Sequence, residues 1–447
     1  MACAGSAVEI TREPDTEVPL VCQAAQTLRA SDPTRRVVIT GIGVVSPVGN
    51  DGETAWRNLL EGVSGIAEIT RFDPSPYEHR LGGEVRSFDP GVWMNPKAAR
   101  RTDRVVQFGV AVAKQALLDA GFVISDENAC DVGVIFGSAG GGQGILMDNV
   151  DAWHARGPRA VSPFFIPNSP CDAAAGVISV ETGARGINIS PGSACGTGTV
   201  AIGEAASIIR RGDCTAIIAG GAENCLLEWL HIGFEQMRAL GSPRAGEPVA
   251  TVSRPFDRSR NGFVLSEGAA AVIVEDLESA RARGARIYAE IAGYGATADA
   301  FDQVIPAPSG EGSARAMQIA VARASIEPRD VGTVNAHGTS TPLGDRREAE
   351  AIWRVFGDHT PEVLVTSTKS MSGHMMSACG TFEAIAVALS LRSGLVPGTL
   401  NYRDPDPECN LNVMAETRSA DLRYGLSNSV GLGGRNSALV LKRFDGD

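Results

Sequence analysis

The stretch RVVITGIGVVS (residues 36–46) and the stretch RIYAEIAGYGAT (residues 286–297) share one pattern, an apolar strand-like run with closely spaced glycines. Similar segments this far apart indicate an internal duplication. A chain of 447 residues also exceeds the size at which a single core stops growing. We therefore predict two related halves, residues 35–284 and 285–447, after an N-terminal extension over residues 1–34 that we expect to be flexible.

Apolar, β-branched runs bounded by Gly or Asp alternate along the chain with alanine-rich stretches of helical periodicity. Such runs are typical of buried strands, and such stretches are typical of helices. This alternation predicts a layered α/β fold. The predicted strands cover residues 37–39, 132–136, 216–219, 270–274, 363–366 and 438–441, and the predicted helices cover residues 105–120, 198–211, 314–324 and 381–392.

The composition excludes several classes of function. Hydrophobic residues make up 43% and charged residues 21% of the chain, which is typical of a globular enzyme. The formal net charge of -12 disfavours binding to nucleic acid or to an anionic membrane, since both need a basic surface. No apolar run is long enough to span a membrane, and the N-terminus lacks the pattern of a signal peptide. Acidic residues within residues 1–34 also disfavour a transit peptide.

The nine cysteines are too few for a disulfide scaffold in a chain of this length. No CxxC pair or Cys/His cluster has the spacing of zinc ligands, so the sequence predicts no metal site. Both features favour a reducing compartment, and we expect a cytoplasmic protein.

One cysteine has the surroundings of a nucleophile. In GSACGTGTVAIGEAASII (residues 192–209), Cys195 lies among small residues just before an alanine-rich helical run. The N-terminus of a helix favours a thiolate, and small neighbours leave room for an acyl thioester. A buried structural cysteine in a tight turn is the alternative, which the residues alone leave open.

Two of the six histidines lie in polar, glycine-rich segments that follow strand-like runs. His337 lies in NAHGTSTPLGD (residues 335–345), and His374 lies in STKSMSGHMMSACGTFEA (residues 367–384). Loops at the carboxyl ends of buried strands carry the chemistry of many α/β proteins, so both histidines are expected in one cleft with the nucleophile. Lys369 adds a positive charge nearby. Taken alone, each histidine is more typical of an ordinary hydrogen-bonded side chain.

Two glycine-rich loops follow further strand-like runs. SNSVGLGGRNSALVLKRF (residues 427–444) begins with a loop whose backbone N–H groups are suited to bind an oxyanion, although a plain β-turn is the alternative. GSAGGGQG (residues 137–144) is similar to a phosphate-binding loop but has no P-loop lysine and no acidic residue at the spacing that binds ribose. We therefore predict no nucleotide site.

Together these segments resemble the β-ketoacyl-ACP synthase family, the elongating type II branch of the thiolase-like condensing enzymes. The resemblance implies a thiolase-like, duplicated five-layer αβαβα fold, a dimer and acyl chains carried on the phosphopantetheine of acyl carrier protein, with no metal or diffusible cofactor. In chain order, the motifs that carry it are VVITGIGVVSPVG, SPFFIPN, GSACGTG, RPFDRSRNGFVLSEGAA, NAHGTSTPLGD, STKSMSGH and NSVGLGGRN.

The resemblance also assigns roles to residues. Cys195 would carry the acyl group, the backbone N–H groups of Cys195 and Leu432 would form the oxyanion hole, and His337 and His374 would stabilise the enolate formed when malonyl-ACP loses carbon dioxide. Lys369 and Glu383 would be a supporting ion pair that holds His374. The residues assigned to substrate binding are Thr339, Thr341, Gly140, Phe234, Val430, Leu432, Val304 and Ile305, and those assigned to carrier docking are Lys97, Arg100, Arg101, Arg159 and Arg238.

Departures from the family pattern concern specificity. Val430 and Leu432 replace aromatic residues of a gate, Arg435 replaces a threonine, and Gly140 replaces a branched residue that would narrow the entrance of the acyl pocket. Val304 and Ile305 replace a Thr-Ser pair near the pantetheine. Asp172 replaces an asparagine near the expected dimer interface. The change at Gly140 favours longer, stiffer or bulkier acyl chains, and the departures together argue against a routine role in fatty-acid synthesis.

The sequence therefore leaves three candidate functions. The first is a ketosynthase of a type II polyketide or other specialised acyl-chain pathway, as a homodimer or as a heterodimer with a chain-length factor; the altered gate favours it slightly. The second is a housekeeping fatty-acid elongating synthase. The third is a non-catalytic subunit like a chain-length factor, which the presence of Cys195, His337, His374 and Lys369 disfavours. A thiolase is disfavoured because the C-terminal glycine-rich loop has no cysteine.

Overall fold

The computed structural model describes residues 29–244 and 246–446. Most of the predicted N-terminal extension, residues 1–28, lies outside this part. The residues of the extension that are described lie against the body of the protein, since the backbone N–H of Arg29 donates to the carbonyl of Gly212. The flexibility of the extension and its boundary with the first half stay predictions.

A mixed ten-stranded sheet forms the centre of the described chain, and two small antiparallel sheets, β2–β3 and β11–β12, lie outside it. The order in the large sheet is β10-β9-β13-β14-β8-β1-β7-β6-β4-β5. The strands are β1 Val37–Val45, β2 Ile66–Glu68, β3 Leu81–Gly83, β4 Val132–Gly137, β5 Asn188–Ile189, β6 Ala216–Glu223, β7 Gly268–Asp276, β8 Ala289–Ala298, β9 Val331–Asn335, β10 Leu364–Thr366, β11 Leu395–Val396, β12 Arg418–Ser419, β13 Tyr424–Gly431 and β14 Arg435–Lys442.

The α-helices alternate with these strands, as the sequence predicts. They are α1 Gly52–Glu61, α2 Pro96–Ala99, α3 Arg104–Ala120, α4 Gln143–Arg156, α5 Phe165–Asn168, α6 Ala173–Thr182, α7 Thr197–Arg211, α8 Glu228–Gln236, α9 Leu277–Ala282, α10 Glu311–Arg323, α11 Pro342–Phe356, α12 Lys369–Ser372 and α13 Cys379–Ser393. Short 3₁₀ turns lie at Pro90–Val92, Ala129–Asp131, Pro158–Ala160, Ala194–Gly196, Val249–Thr251, Pro308–Gly310, Pro328–Asp330, Gly357–Glu362, Met376–Ala378 and Pro407–Cys409. Every predicted strand and helix has a counterpart among these elements.

The sheet order shows the duplication. Reading outward from the centre, β1-β7-β6-β4-β5 and β8-β14-β13-β9-β10 follow the same course. The first two pairings of each series are antiparallel and the last two are parallel. The two halves join where β1 pairs with β8 over Val38 and Ile39. The sequence pattern thus predicted the duplication correctly.

Helices cover both faces of each half, which gives five layers. Helices α3 and α6 pack on the outer face of the first half, and α10 packs on the outer face of the second half with α11 beside it. Helices α7 and α13 lie in the middle layer, where they contact each other and strands of both halves. The thiolase-like five-layer αβαβα fold is therefore confirmed.

The glycines of the two quoted stretches explain why each central strand lies so close to its outer helix. A Cβ atom on Gly43 would lie 2.0 Å from the carbonyl oxygen of Val112 on α3, and one on Gly295 would lie 2.1 Å from that of Ala316 on α10. Both distances are far below van der Waals contact. The repeated glycines are therefore a packing requirement, met in the same way in both halves.

No helix within the described residues combines the length and the apolar character that crossing a membrane requires.

The close strand–helix contact yields a first prediction. Gly43→Ala and Gly295→Ala should each lower the free energy of unfolding by about 3 kcal/mol, because the new methyl group forces the strand and the helix apart. Chemical denaturation monitored by circular dichroism measures this difference. Gly233→Ala is the matched control, since a Cβ atom there meets nothing within 4 Å. Equal stability of all three variants would contradict the packing argument.

Candidate active site

Cys195 lies in a strained turn at the start of a helix. It is the middle residue of the 3₁₀ turn Ala194–Gly196, which leads directly into α7. Ala194 has a φ of 46°, an uncommon conformation for a residue with a side chain. The hydroxyl of Thr197 donates to the carbonyl of Ala194 over 2.8 Å and holds the turn. Strained residues of this kind concentrate at functional sites.

The middle layer brings this turn to the second half of the molecule. Helices α7 and α13 cross at two glycines, because a Cβ atom on Gly198 would lie 2.5 Å from Oγ1 of Thr381, and one on Gly380 would lie 2.2 Å from Oγ1 of Thr199. Larger residues at the crossing would separate the helices. The N-terminal ends of both helices therefore lie side by side.

His374 reaches Cys195 from the segment before α13. Its Nε2 atom lies 3.2 Å from Sγ of Cys195. Its backbone N–H donates to the carbonyl of Val264 over 2.7 Å, and its ring meets the ring of Phe263 edge-on with centroids 5.3 Å apart. The histidine is 3% exposed, so this contact is shielded from water.

His337 lies beside His374 at the carboxyl end of β9. The two imidazole rings are nearly perpendicular, with centroids 5.4 Å apart. The carboxylate of Glu348, on α11, accepts the backbone N–H of His337 over 2.6 Å and that of Gly338 over 2.7 Å. These two bonds fix the loop that carries His337. The structure thus brings the predicted nucleophile and both predicted histidines together.

Lys369 and Glu383 form an ion pair beneath the histidines, and both side chains are 1% exposed. The pairing agrees with the assignment made from the sequence. Nζ of Lys369 lies 3.5 Å from Nδ1 of His337, and its charge acts on His374 as well. That the pair holds His374 stays a prediction.

A second thiol lies on the far side of His374. Sγ of Cys379 is 3.3 Å from Nδ1 of His374, and the backbone N–H of Met375 donates to the same sulfur over 3.2 Å. Cys379 is 1% exposed. The imidazole of His374 therefore lies between the sulfur of Cys195 on one side and the sulfur of Cys379 on the other.

Burial dominates the electrostatics of the nucleophile. It raises the pKa of the Cys195 thiol to about 11. The backbone N–H groups of Leu432 and of Cys195 itself act in the opposite direction, as does the ammonium of Lys369. The sequence favoured a thiolate at this helix N-terminus, whereas the structure gives a neutral thiol, because the cost of burying a charge exceeds these stabilising contacts.

Both imidazoles are neutral. Burial and the nearby charge of Lys369 hold the pKa values of His337 and His374 well below their usual range. Burial lowers the pKa of Lys369, but the charge and hydrogen bond of Glu383, together with the other acidic groups around it, raise it by more, and the net pKa is raised. The ammonium of Lys369 thus stays charged, whereas the two imidazole rings beside it stay uncharged. Uncharged imidazoles are suited to donate hydrogen bonds rather than to act as charged acids.

A cavity of about 440 Å³ opens onto Cys195, His337 and His374. Its walls are more apolar than polar, which suits an acyl chain with a polar carrier arm. Most of the residues that the sequence assigned to substrate binding line it, namely Phe234, Val304, Ile305, Thr339, Thr341, Val430 and Leu432.

Gly140 is the exception, since it does not line this cavity. Its backbone N–H donates to Glu223, and a Cβ atom on it would lie 3.0 Å from the side-chain nitrogen of Gln143. The space that the sequence led us to expect beside Gly140 is therefore occupied by a glutamine. Its role at the entrance of an acyl pocket stays a prediction.

The predicted docking cations are all exposed, but they are not all at the cavity. Arg238 lines the mouth of the cavity. Lys97, Arg100 and Arg101 lie on α2 and in the turn after it, and the guanidinium of Arg101 lies 4.2 Å from the centroid of the Phe164 ring. Arg159 lies in an exposed 3₁₀ turn.

Three residues that shape the site were not predicted from the sequence. Glu348 fixes the His337 loop, Phe263 packs on His374, and Cys379 contacts the Nδ1 atom of His374. Glu348 is an acidic residue on a helix with many charges, and Phe263 is an ordinary apolar residue, so neither had a distinctive pattern. Cys379 lies only five residues after His374, and this proximity was the one available signal.

Known proteins match the chain over most of its length. A family model described as "Beta-ketoacyl synthase, N-terminal domain" matches residues 34–280, and one described as "Beta-ketoacyl synthase, C-terminal domain" matches residues 288–403. The chain is 46% identical over 416 residues to 3-oxoacyl-(acyl-carrier-protein) synthase 2 of Staphylococcus aureus strain N315. The aligned region covers 92% of this chain and 99% of that protein.

Two solved structures share the fold. The ishigamide ketosynthase/chain length factor superposes with a TM-score of 0.85 at 33% identity, covering 92% of this chain and 99% of the other. The second is the structure of an acyl carrier protein of a type II polyketide synthase in complex with its ketosynthase bound to the hexaketide. It superposes with a TM-score of 0.85 at 29% identity, covering 92% of this chain and 100% of the other. The likeness therefore extends over the whole described fold.

The raised pKa of Cys195 predicts the pH dependence of its alkylation. Because the thiolate is the nucleophile, the rate of modification by iodoacetamide should rise about tenfold per pH unit from pH 7 to pH 9.5 and show no plateau, since the pKa is about 11. Peptide mass spectrometry resolves Cys195 from the exposed Cys171 in the same sample. A plateau below pH 8 would show that the buried site holds a stable thiolate.

Proposed function

Because the chain belongs to the β-ketoacyl synthase family, we propose that Cys195 is its acyl-carrying nucleophile and that His337 and His374 promote decarboxylation. The protein is a β-ketoacyl-ACP synthase, which condenses an acyl group with malonyl-ACP to give β-ketoacyl-ACP. The observation that carries the assignment of roles is the 3.2 Å contact between Nε2 of His374 and Sγ of Cys195 inside the shared cavity.

In the first half-reaction, the sulfur of Cys195 attacks the thioester carbonyl of the acyl carrier. A new S–C bond forms, the S–C bond to the pantetheine breaks, and the thiol proton leaves with the pantetheine thiol. The N–H groups of Cys195 and Leu432 point toward the nucleophile's sulfur, where they are suited to stabilise the oxyanion of the tetrahedral intermediate.

In the second half-reaction, malonyl-ACP loses carbon dioxide and its thioester becomes an enolate. The two neutral imidazoles face the cavity from one side, so both are suited to donate a hydrogen bond to the enolate oxygen. The enolate carbon then attacks the acyl thioester of Cys195, the new C–C bond forms and the S–C bond to the cysteine breaks. The cysteine leaves as a thiolate and takes up a proton from solvent, which restores the thiol. The ion pair of Lys369 with Glu383 supplies a fixed charge beside His337.

Acyl carrier protein is the partner of this reaction, and its phosphopantetheine carries both substrates, so no further cofactor is needed. An acidic carrier requires basic residues around the cavity mouth, because the enzyme itself is acidic. We assign this docking to Lys97, Arg100, Arg101, Arg159 and Arg238.

We further propose a role in a type II polyketide or other specialised acyl-chain pathway. Support comes from Val430 and Leu432, which line the cavity in place of the family's aromatic gate. The two similar solved structures are also polyketide proteins or include a chain length factor. Housekeeping fatty-acid elongation is the second candidate, and the 46% identity to 3-oxoacyl-(acyl-carrier-protein) synthase 2 favours it.

A dimer fits the surface of the first half. Strand β5 forms an outer edge of the large sheet, and the nearby side chains of Ile166 and Val180 are 67% and 83% exposed. An unpaired edge with apolar neighbours favours association. We propose that a second copy or a homologous chain-length factor covers this surface. A cytoplasmic location stays a prediction.

The assignment of roles is tested by separating the two half-reactions. Cys195→Ala should form no covalent acyl adduct by intact-mass analysis after incubation with acyl-ACP. His337→Ala should still be acylated but should release carbon dioxide from malonyl-ACP about 100-fold more slowly, the loss typical of one oxyanion donor. Cys214→Ala, at a buried cysteine outside the cavity, is the control. Persistent acylation of Cys195→Ala would contradict the assignment.

The choice of pathway is tested by the acyl chain. If the altered gate serves unusual substrates, polyenoyl carriers should acylate the enzyme about tenfold faster than saturated carriers of equal length. Leu432→Phe should reduce this ratio, and Leu432→Met, which conserves volume, should preserve it. Equal rates for both carriers would instead support the housekeeping role.

A further inference from the structure

We propose that Cys379 is a positioning residue whose thiol donates a hydrogen bond to Nδ1 of His374 and thereby keeps the ring proton on Nε2. This inference rests on the role proposed above for His374 and extends it to a residue that does not touch the substrate. The sulfur of Cys379 is 3.3 Å from Nδ1, on the opposite side of the ring from Cys195.

The surroundings of Cys379 fix the direction of this hydrogen bond. Within the described chain, its sulfur has two hydrogen-bond partners, the backbone N–H of Met375 at 3.2 Å and Nδ1 of His374. An N–H group only donates, so the sulfur accepts from Met375. The thiol proton is left to be donated, and Nδ1 of His374 is the acceptor within reach.

The opposite arrangement leaves a polar group without a partner. If Nδ1 carried the proton and donated it to Cys379, the thiol proton would have no acceptor in a site that is 1% exposed. Such unpaired buried groups are costly. Cys379 does not avoid this cost by becoming a thiolate, because burial raises its pKa well above that of an ordinary thiol.

The same hydrogen-bond requirement fixes the position of the ring proton in the neighbouring His337. Nζ of Lys369 lies 3.5 Å from Nδ1 of His337, and an ammonium has protons but no lone pair. Lys369 therefore donates to Nδ1, and the ring proton of His337 also lies on Nε2. Each ring thus has a donor behind it, an ammonium for one and a thiol for the other.

This arrangement matters for decarboxylation. Two Nε2–H groups that face the cavity can both donate a hydrogen bond to the developing enolate oxygen. A ring with its proton on Nδ1 would instead present the lone pair of Nε2, which repels that oxygen. The geometry therefore couples a thiol that never meets the substrate to the second half-reaction. Acylation of Cys195 depends less on this proton, since the leaving pantetheine thiol takes up the proton of the nucleophile.

The tautomer is measured directly in the wild-type protein. In ¹⁵N-histidine-labelled protein at pH 7, two-bond ¹H–¹⁵N correlation spectra should show His374 with its proton on Nε2. Cys379→Ser retains a donor and should keep this tautomer, and Cys379→Ala removes the donor and should increase the share with the proton on Nδ1. A wild-type spectrum with the proton on Nδ1, or identical spectra for the Ser and Ala variants, would overturn the inference.

Kinetics give a second readout. Release of carbon dioxide from malonyl-ACP should fall about fivefold in Cys379→Ala, the effect of one neutral hydrogen bond, and change less than about twofold in Cys379→Ser. Cys214→Ala removes the same atoms from another buried cysteine and should resemble the wild type. Equal losses in the Ser and Ala variants would assign Cys379 to packing alone. Because the spectra need no turnover, failure of this inference is distinguishable from failure of the proposed function.

Discussion

The close crossing of α7 and α13 is the constraint on which the site depends. Each helix places a glycine against a threonine of the other, at distances where a Cβ atom cannot fit. Because the helices meet at their N-terminal ends, the turn that carries Cys195 and the segment that carries His374 converge. The two halves of the fold each supply one side of the site. Neither half alone would form the site, so the chemistry requires both halves of the duplicated fold.

The same convergence explains the charge states of the site. The three reacting side chains line a cavity between two packed halves but are themselves almost fully buried. Burial therefore governs their protonation, and the thiol of Cys195 and both imidazoles are neutral. The exception is the ion pair of Lys369 with Glu383, in which each charge offsets part of the cost of burying the other. A neutral site works for this reaction because its histidines must donate hydrogen bonds to an enolate, which a dry, preorganised environment strengthens.

The sequence predicted much of this, and the limits of that prediction have physical causes. Strands and helices followed from hydrophobic periodicity, and the halves followed from the repeated glycines, because both are local patterns. Cys195, His337 and His374 were found through the motifs around them. Contacts between segments distant in sequence were not found: Nζ of Lys369 lies 3.5 Å from Nδ1 of His337, which is 32 residues away. The filling of the space beside Gly140 by Gln143 likewise depends on packing rather than on either residue alone.

The duplicated turns before α7 and α13 show how one fold produced two different tasks. Aligned on the first residues of the helices, Ala194 corresponds to Met376, and both have unusual positive φ values of 46° and 47°. Cys195 then corresponds to Ser377, whose hydroxyl donates to the buried carboxylate of Glu223 over 2.6 Å. One turn exposes a nucleophile to the cavity and the other ties the halves together. A strained turn is costly wherever it occurs, so its retention where no nucleophile is presented indicates that the helix crossing itself requires it.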